Sequence, residues 1–242
     1  MINAYLNNNI GYSVNATQYL PLIIDYTATQ FVFKWKAPAT STLKFHWGDG
    51  TTSTVSGNDA TLVTTTSSYS GAGTYSFYIT GDALDLTYID ISSQAFVSGD
   101  VSSWSALTNL TYLYCSSTSI SGDVSGWSAL TNLTLLRCYS TSVSGDVSGW
   151  SALTNLTYLD CSSTSVEFNG TTAWTMTGAI SLYSNGWTST MVDNSLAAFA
   201  ATPLTGCTID VSGTNAARTA ASDADKAIII NPANSNTLTV NE

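Results

Sequence analysis

A unit of 23 residues occurs three times in succession and constrains most strongly how this chain can fold. The copies occupy residues 98–120, 121–143 and 144–166, and the second and third differ at only three positions. Each copy reads S-G-D-V-S-x-W-S-A-L-T-N-L-T-x-L-x-C-x-S-T-S-[IV]. Self-similarity at a fixed period indicates stacked repeats, each of which buries its apolar face against its neighbours. The sequence therefore predicts a solenoid in which equivalent residues form ladders.

The apolar positions of each copy resemble those of the leucine-rich-repeat family. The first copy fits L-x-x-L-x-L-x-x-N-x-L, with Cys115 in place of the third leucine and Thr118 in place of the asparagine. The resemblance implies parallel strands on a concave face and helical turns on the convex face. The threonine leaves open what replaces the backbone-binding asparagine ladder of the family. The apolar positions of the first copy are Val101, Trp104, Leu107, Leu110, Leu113, Cys115 and Ile120.

The predicted solenoid extends beyond the exact copies, over residues 83–242. It begins with a degenerate repeat at residues 83–97. Residues 167–242 lose the exact period but keep strand-like segments separated by stretches of helical composition. We expect these longer αβ units to cap the last hydrophobic edge of the stack. The strand centres that recur every 29 residues in this part are Ile180, Ile209 and Leu238.

Residues 25–82 carry short alternating runs that predict antiparallel strands. The turn Trp47-Gly48-Asp49-Gly50 is followed by a Tyr-x-x-x-Gly-x-Tyr-x-Phe-x-Ile segment that begins at Tyr69. This pairing resembles the polycystic-kidney-disease (PKD) type of β-sandwich, a non-catalytic family of spacer and binding modules. The fold class that we predict is β-rich α/β, a PKD- or Ig-like sandwich followed by the solenoid. Residues 1–24 are predicted to be an N-terminal arm, or an anchor in a virion protein.

Composition narrows the class of function. Only 9% of the residues are charged and the net charge is −10, which argues against nucleic acid or anionic lipid because both require clustered cations. No apolar run approaches the roughly 18 residues of a transmembrane helix, and the segment after Met1 lacks the pattern of a secretory signal. The cysteines at the repeat position, Cys115, Cys138 and Cys161, are expected to be free and buried. We expect a virion or an extracellular surface protein.

The copies differ chiefly at three positions that lie two residues apart, which places these side chains on one face of a strand. Tyrosine, serine, arginine and aspartate there resemble the composition of antibody paratopes. We expect a ligand-binding face for a glycan or a protein, and neutral drift is the alternative. On adjacent strands, Arg137 and Asp160 could form an ion pair. The predicted binding residues are Tyr88, Tyr112, Tyr114, Leu135, Arg137, Tyr139, Tyr158, Asp160 and Tyr183, flanked by Asp90 and Asp210.

A second ladder consists of Asp100, Asp123 and Asp146 in the Ser-Gly-Asp-Val segments. Stacked carboxylates could attract a cation such as Ca²⁺. The alternative is that each aspartate accepts a hydrogen bond from a backbone N–H two or three residues further on. We expect no metal site, and these three are the residues to inspect for one. No acid/base pair, nucleophile motif or phosphate-binding loop occurs, so we expect neither enzymatic activity nor a cofactor.

The favoured hypothesis is a non-enzymatic virion protein, of the phage tail-fibre or appendage type, that binds a host-surface ligand through the concave face. One alternative is a secreted or surface-bound bacterial adhesin. Another is a structural decoration or filament subunit whose repeats pack between subunits. Expected partners are other virion or surface proteins and a host glycan or protein, with a homo-oligomer left open. We expect no nucleic-acid partner and no membrane insertion.

Overall fold

In the computed structural model, the strands of this chain join into one continuous sheet. Fifteen strands belong to it within the part of the chain that the structure describes. Strands of the repeats pair in parallel with one another, whereas the strands before residue 82 pair antiparallel. This β-rich, mostly parallel arrangement agrees with the predicted solenoid. Residues 1–18 of the predicted N-terminal arm (residues 1–24) lie outside the described residues. The residues that the structure describes are 19–26 (backbone only), 30–67, 69–202 and 204–242.

Two parallel ladders and a stack of 3₁₀ turns form the wall of the solenoid. The turns of the exact copies span Ser102–Ala106, Ser125–Ala129 and Ser148–Ala152. The first ladder comprises β5 (Tyr88–Asp90), β7 (Tyr112–Tyr114), β9 (Leu135–Arg137), β11 (Tyr158–Asp160), β13 (Ala179–Ser181), β14 (Thr208–Asp210) and β15 (Thr237–Thr239). The second ladder comprises β6 (Val97–Asp100), β8 (Ser119–Asp123), β10 (Ser142–Asp146) and β12 (Ser165–Glu167).

Four longer strands precede the ladders: β1 (Tyr19–Tyr26), β2 (Phe31–His46), β3 (Thr52–Ser67) and β4 (Gly73–Gly81). The first half of β2 pairs with β5 and its second half with β4, while β3 lies along both halves. Phe31, Phe33 and Trp35 are fully buried and alternate with the partly exposed Lys34 and Lys36. This alternation agrees with the period of two in the sequence.

The N-terminal strands continue the sheet of the solenoid. β2 pairs with β5, the first strand of the first ladder, and β1 pairs with β6, the first strand of the second ladder. β1 and β2 therefore cover the first edge of the two ladders. This continuous sheet differs from the expected arrangement, in which a separate sandwich precedes the solenoid. It satisfies the backbone groups of β5 and β6, which would otherwise face solvent as open edges.

Stacked tryptophans fill the core beneath the 3₁₀ turns. Trp104, Trp127 and Trp150 are buried, with neighbouring ring centroids 6.3 Å apart and ring planes 9° and 11° from parallel. The indole N–H of Trp127 donates to the carbonyl of Val101, one repeat earlier, and that of Trp150 bonds in the same way. The indole N–H of Trp104 has no partner within the described residues. Trp104 belongs to the first exact copy, so no equivalent valine carbonyl precedes it.

Threonine and asparagine share the task of binding the backbone after each strand of the first ladder. Thr118 Oγ1 donates to the Cys115 carbonyl at 2.6 Å, and Thr141 and Thr164 bond to their own cysteines in the same way. At the next equivalent position, the Oδ1 of Asn185 accepts from the Thr164 N–H, one repeat earlier, at 2.9 Å. At this position the threonines of the exact copies thus make local bonds, whereas the asparagine at residue 185 also bridges repeats.

The C-terminal units contain two helices, α1 (Ser189–Ala201) and α2 (Asp223–Ile229), where helical composition predicts them. Thr188 caps α1, because its Oγ1 accepts from the Met191 N–H at 3.3 Å. Val192, Leu196 and Phe199 lie on the buried side of α1, at the spacing of one helix face. The predicted strands around Ile180, Ile209 and Leu238 correspond to β13, β14 and β15.

The cysteines of the repeats are buried free thiols, as predicted. The Sγ atoms of Cys138 and Cys161 are 2.9 Å apart, on adjacent copies. Burial raises the pKa of the Cys115 and Cys161 thiols. Because the thiolate is the reactive form, these groups act as core residues of the solenoid.

Candidate functional site

The outer side of the first ladder carries two rows of polar and aromatic side chains. The rows follow from the pairing of β2, β5, β7, β9 and β11, whose equivalent residues lie side by side. We call the two rows together the tyrosine–arginine face. One row consists of Lys36, Tyr88, Tyr112, Leu135 and Tyr158, and the other of Lys34, Asp90, Tyr114, Arg137 and Asp160.

Alternation along each strand separates this face from the core. Leu113, between Tyr112 and Tyr114, is fully buried, whereas Tyr112 is 41% exposed. Most of the predicted binding residues are at least partly exposed, as expected. Asp90, expected to flank this surface, is instead buried, with 9% of its surface exposed. Asp90 is covered because β2 lies beside it, and its Oδ2 is 3.0 Å from the Lys34 Nζ.

Three tyrosines form a cluster at the N-terminal end of the face. The Tyr88 ring centroid lies 5.7 Å from that of Tyr112 and 5.5 Å from that of Tyr114. Burial raises the pKa of Tyr88 to about 12, assisted by the charge of Asp90 and by Tyr114. Burial also raises the pKa of Tyr114, against the opposing effect of the Arg137 cation. The Tyr88 and Tyr114 phenols are therefore neutral donors and acceptors at neutral pH.

Arg137 lies between two tyrosine rings. Its guanidinium carbon is 4.6 Å from the Tyr158 centroid and 5.7 Å from the Tyr114 centroid, within cation–π range. No ion pair within 4 Å joins Arg137 to Asp160 in the described chain, so the structure does not contain the pair considered above. Asp160 Oδ1 instead accepts from the N–H and hydroxyl of Ser162 at 3.1 and 2.6 Å. The buried Nε of Arg137 has no hydrogen-bond partner within the described residues.

A third row follows the ends of the same strands and contains the remaining two predicted binding residues. The carbonyl of Tyr139 accepts from the Ser117 N–H, and the carbonyl of Tyr183 accepts from the Ser163 N–H. Tyr139 is half-buried and Tyr183 is 42% exposed. The turn that contains Ser162 separates them, and both lie beside the tyrosine–arginine face. Asp210, expected to flank the face, lies further along the ladder on β14.

The N-terminal region contributes a cleft that the sequence analysis did not foresee. The cleft has a volume of about 430 Å³, which is within the usual range for a ligand site. The sequence contains one indication of this cleft. Lys36 on β2 alternates with buried aromatic residues, which places its side chain on the outer face. The cleft brings together β2, β3 and the first two strands of the ladder, and its lining residues are Lys36, Asp59, Leu62, Thr87, Tyr88, Thr111 and Tyr112.

The aspartates at the ends of the second-ladder strands stabilise the turns that follow. Oδ1 of Asp100, Asp123 and Asp146 accepts from the N–H two residues further on, at 2.9, 2.8 and 2.9 Å. Hydrogen bonds from the backbone N–H and the side chain of Ser125 lower the pKa of the Asp123 carboxyl. Among the described residues no cluster of three or more potential ligands could hold a metal ion. The hydrogen bonds agree with the turn-stabilising alternative for these aspartates.

His46, the one histidine of the chain, occupies a structural position. Its ring stacks on Tyr78 with centroids 4.2 Å apart, and its Nε2 is 3.0 Å from the Thr80 Oγ1. Burial, and then the Lys44 cation, lower the pKa of His46.

In the residues that the structure describes, no helix has the length and apolar character needed to cross a bilayer.

The raised pKa of Tyr88 predicts a loss of stability at alkaline pH. A tyrosine whose pKa is raised from 10.0 to about 12 on folding contributes stability that is complete below pH 10 and is lost as pH rises towards 12. We expect the free energy of unfolding to fall more steeply over this interval in the wild type than in Tyr88→Phe. Denaturant titrations at several pH values measure both slopes, and equal slopes would contradict the assignment.

Comparison with known proteins leaves the family unassigned. No family model matches the chain, and no curated protein matches it. One solved structure that is similar in part is described as the crystal structure of a TDR receptor, with 22% sequence identity and a TM-score of 0.35. The match covers 60% of this chain and 25% of that one, so the chain spans about a quarter of the receptor's length.

Proposed function

We propose that this protein is a non-enzymatic binding protein that recognises a ligand through the tyrosine–arginine face. The observation that supports this most directly is the state of Arg137, a cation between two tyrosine rings with no anionic partner within the described residues. The face also leaves Tyr112 41% exposed. Tyrosine and arginine are the side chains that contribute most often to binding energy at interfaces.

The exact copies provide an internal comparison that favours recognition over drift. Their ladders of tryptophan, leucine and cysteine are the same in all three copies, and substitutions gather on one outer face. Random drift at exposed positions has no reason to produce contiguous aromatic rings. The contact of Tyr88 with both Tyr112 and Tyr114, and of Arg137 with Tyr114 and Tyr158, forms one connected surface.

The setting that we propose is a virion, as part of a phage tail fibre or appendage that contacts a host surface. Low charge and abundant serine, threonine and tyrosine are typical of such β-proteins and support this setting. Secreted or surface-bound bacterial adhesins have the same character and remain the alternative. We also propose that the solenoid is of the leucine-rich-repeat type and that the N-terminal strands are PKD-like. The Trp47 turn supports the latter, because its carbonyl accepts from the Tyr69 hydroxyl at 2.8 Å.

A structural role, as a decoration or filament subunit, is the second alternative. In that case the tyrosine–arginine face packs against another subunit rather than a host ligand. Sedimentation analysis separates the two, because a filament subunit assembles through this face without any added ligand.

Alanine variants of the face test the proposed function. We expect the wild type to bind a ligand on an array of glycans and bacterial surface proteins, and Tyr112→Ala, Arg137→Ala and Tyr158→Ala each to weaken binding by about tenfold or more. Ile230→Ala is the control, because Ile230 is 45% exposed and belongs to the C-terminal units. Absence of any ligand, or equal binding by folded variants, would refute the proposal.

A further inference from the structure

We infer, on the basis of the proposed binding function, that the ligand is an acidic glycan. A carboxylate of this glycan binds the Arg137 guanidinium, and its sugar rings lie along Tyr112 and Tyr88 towards the cleft at Lys36.

The distribution of cations is the first argument. The chain has six lysines and arginines against sixteen acidic residues, yet Lys34, Lys36 and Arg137 lie on this one face. At the C-terminal end Arg218 and Lys226 form ion pairs, and Lys34 pairs with Asp90. The described residues place no acidic group within 4 Å of the cationic atoms of Lys36 or Arg137. These two cations therefore remain available to an external anion.

The orientation of Arg137 is the second argument. The rings of Tyr114 and Tyr158 hold the guanidinium in place, which lowers the conformational entropy that an arginine otherwise loses on binding. A held planar guanidinium suits a carboxylate, which it can bind through two parallel hydrogen bonds. The nearby Asp160 carboxylate bonds to Ser162 through Oδ1 and forms no ion pair with Arg137 within the described residues.

The neighbouring rings and cleft identify the rest of the ligand. Tyr88 and Tyr112 present amphipathic rings with hydroxyl groups, which combine an apolar surface with hydrogen bonding. Leu135 is the one aliphatic side chain in the two rows, so tyrosine rings supply most of the apolar surface that a ligand meets. From Arg137 to Lys36 the ladder spans three strand spacings, about 14 Å. This length and the cleft of about 430 Å³ fit a short oligosaccharide better than a folded partner.

Matched pairs of oligosaccharides test the inference with the full chain. Uronic-acid and sialic-acid oligosaccharides are immobilised beside the same sugars with the carboxylates reduced to alcohols, together with a glutamate-rich peptide. We expect at least about tenfold tighter binding to the carboxylated sugar than to its reduced form. We expect Arg137→Gln to bind the two forms with about equal affinity. Lys44 is an exposed cation elsewhere on β2, so Lys44→Gln is expected to retain the preference.

The outcomes separate the inference from the proposed function. Binding of neutral and carboxylated sugars with equal affinity, lost in Tyr112→Ala, overturns the acidic ligand and leaves the face as a binding site. Preferential binding of the acidic peptide overturns the glycan. An acidic preference that persists in folded Arg137→Gln overturns the role of Arg137. Failure of every sugar and of the peptide to bind overturns the inference, and the wider array then decides the proposed function.

Discussion

Replacing Trp127 with alanine is expected to lower the free energy of unfolding by about 3–5 kcal/mol. Trp127 is fully buried, and its ring stacks between Trp104 and Trp150 at 6.3 Å on each side. The substitution leaves a cavity at the middle of the ladder and removes the donor that binds the Val101 carbonyl. Neighbouring repeats cannot collapse into the cavity, because in-register pairing of the flanking strands fixes their spacing.

A phenylalanine pair isolates the hydrogen bond from the packing. Trp127→Phe loses the bond to Val101, whereas Trp104→Phe removes an indole N–H that has no partner in the described chain. The Val101 carbonyl keeps its bond from the Trp104 backbone N–H at 3.0 Å, so Trp127→Phe loses one hydrogen bond, at a cost of about 1 kcal/mol. We therefore expect Trp127→Phe to be the more destabilising of the two. Denaturant unfolding of both variants measures the difference, and a larger loss for Trp104→Phe would contradict this account of the ladder.

Asn215→Ala is expected to destabilise the C-terminal units by at least about 3 kcal/mol. The Asn215 side chain is 3% exposed and makes four hydrogen bonds. It donates to the carbonyls of Leu182 and Val211, at 3.0 and 2.8 Å. It accepts from the N–H groups of Asn185 and Trp187, at 2.9 and 3.1 Å. Alanine leaves all four backbone groups without this partner, across two successive repeats.

Asn109→Ala is the matched control, since Asn109 is exposed and its Nδ2 makes one inter-repeat bond, to the Leu84 carbonyl at 3.0 Å. We expect it to cost about 1 kcal/mol. Hydrogen exchange of the β13 and β14 amides locates the effect of Asn215→Ala in the C-terminal units. Equal losses for the two asparagine variants would show that the buried network adds nothing to stability.

Repetition in the sequence predicts the solenoid and the main rows of the binding face. When a copy recurs almost unchanged, each residue must lie beside its equivalent, so the register between strands follows from the period alone. The neighbours Tyr112, Leu135 and Tyr158 are found in this register. Alternation along the strand then places Leu113 in the core and Tyr112 outside. These inferences rest on local spacing, which the sequence contains.

Local spacing does not predict contacts between distant segments of the chain. The pairing of β2 with β5 joins Lys34 and Asp90, which are 56 residues apart in the chain. No repeat or motif relates these segments, so the burial of Asp90 and the cleft beside Lys36 could not be anticipated. Arg137 could contact either Asp160 or the tyrosine rings on the neighbouring strands, and in the structure it lies against the rings. Spacing alone does not decide between these contacts.

One variant tests most directly the claim that the tyrosine–arginine face binds a ligand. In this variant the second copy carries the residues of the third copy, and its binding is measured on the array. The variant is Leu135→Tyr, Arg137→Asp and Tyr139→Ser together, and each substitution reproduces a residue that the next copy already carries at the equivalent position. The account predicts a free energy of unfolding within about 1 kcal/mol of wild type and a loss of ligand binding of at least about tenfold. A folded variant that binds the ligand as tightly as the wild type would contradict the account.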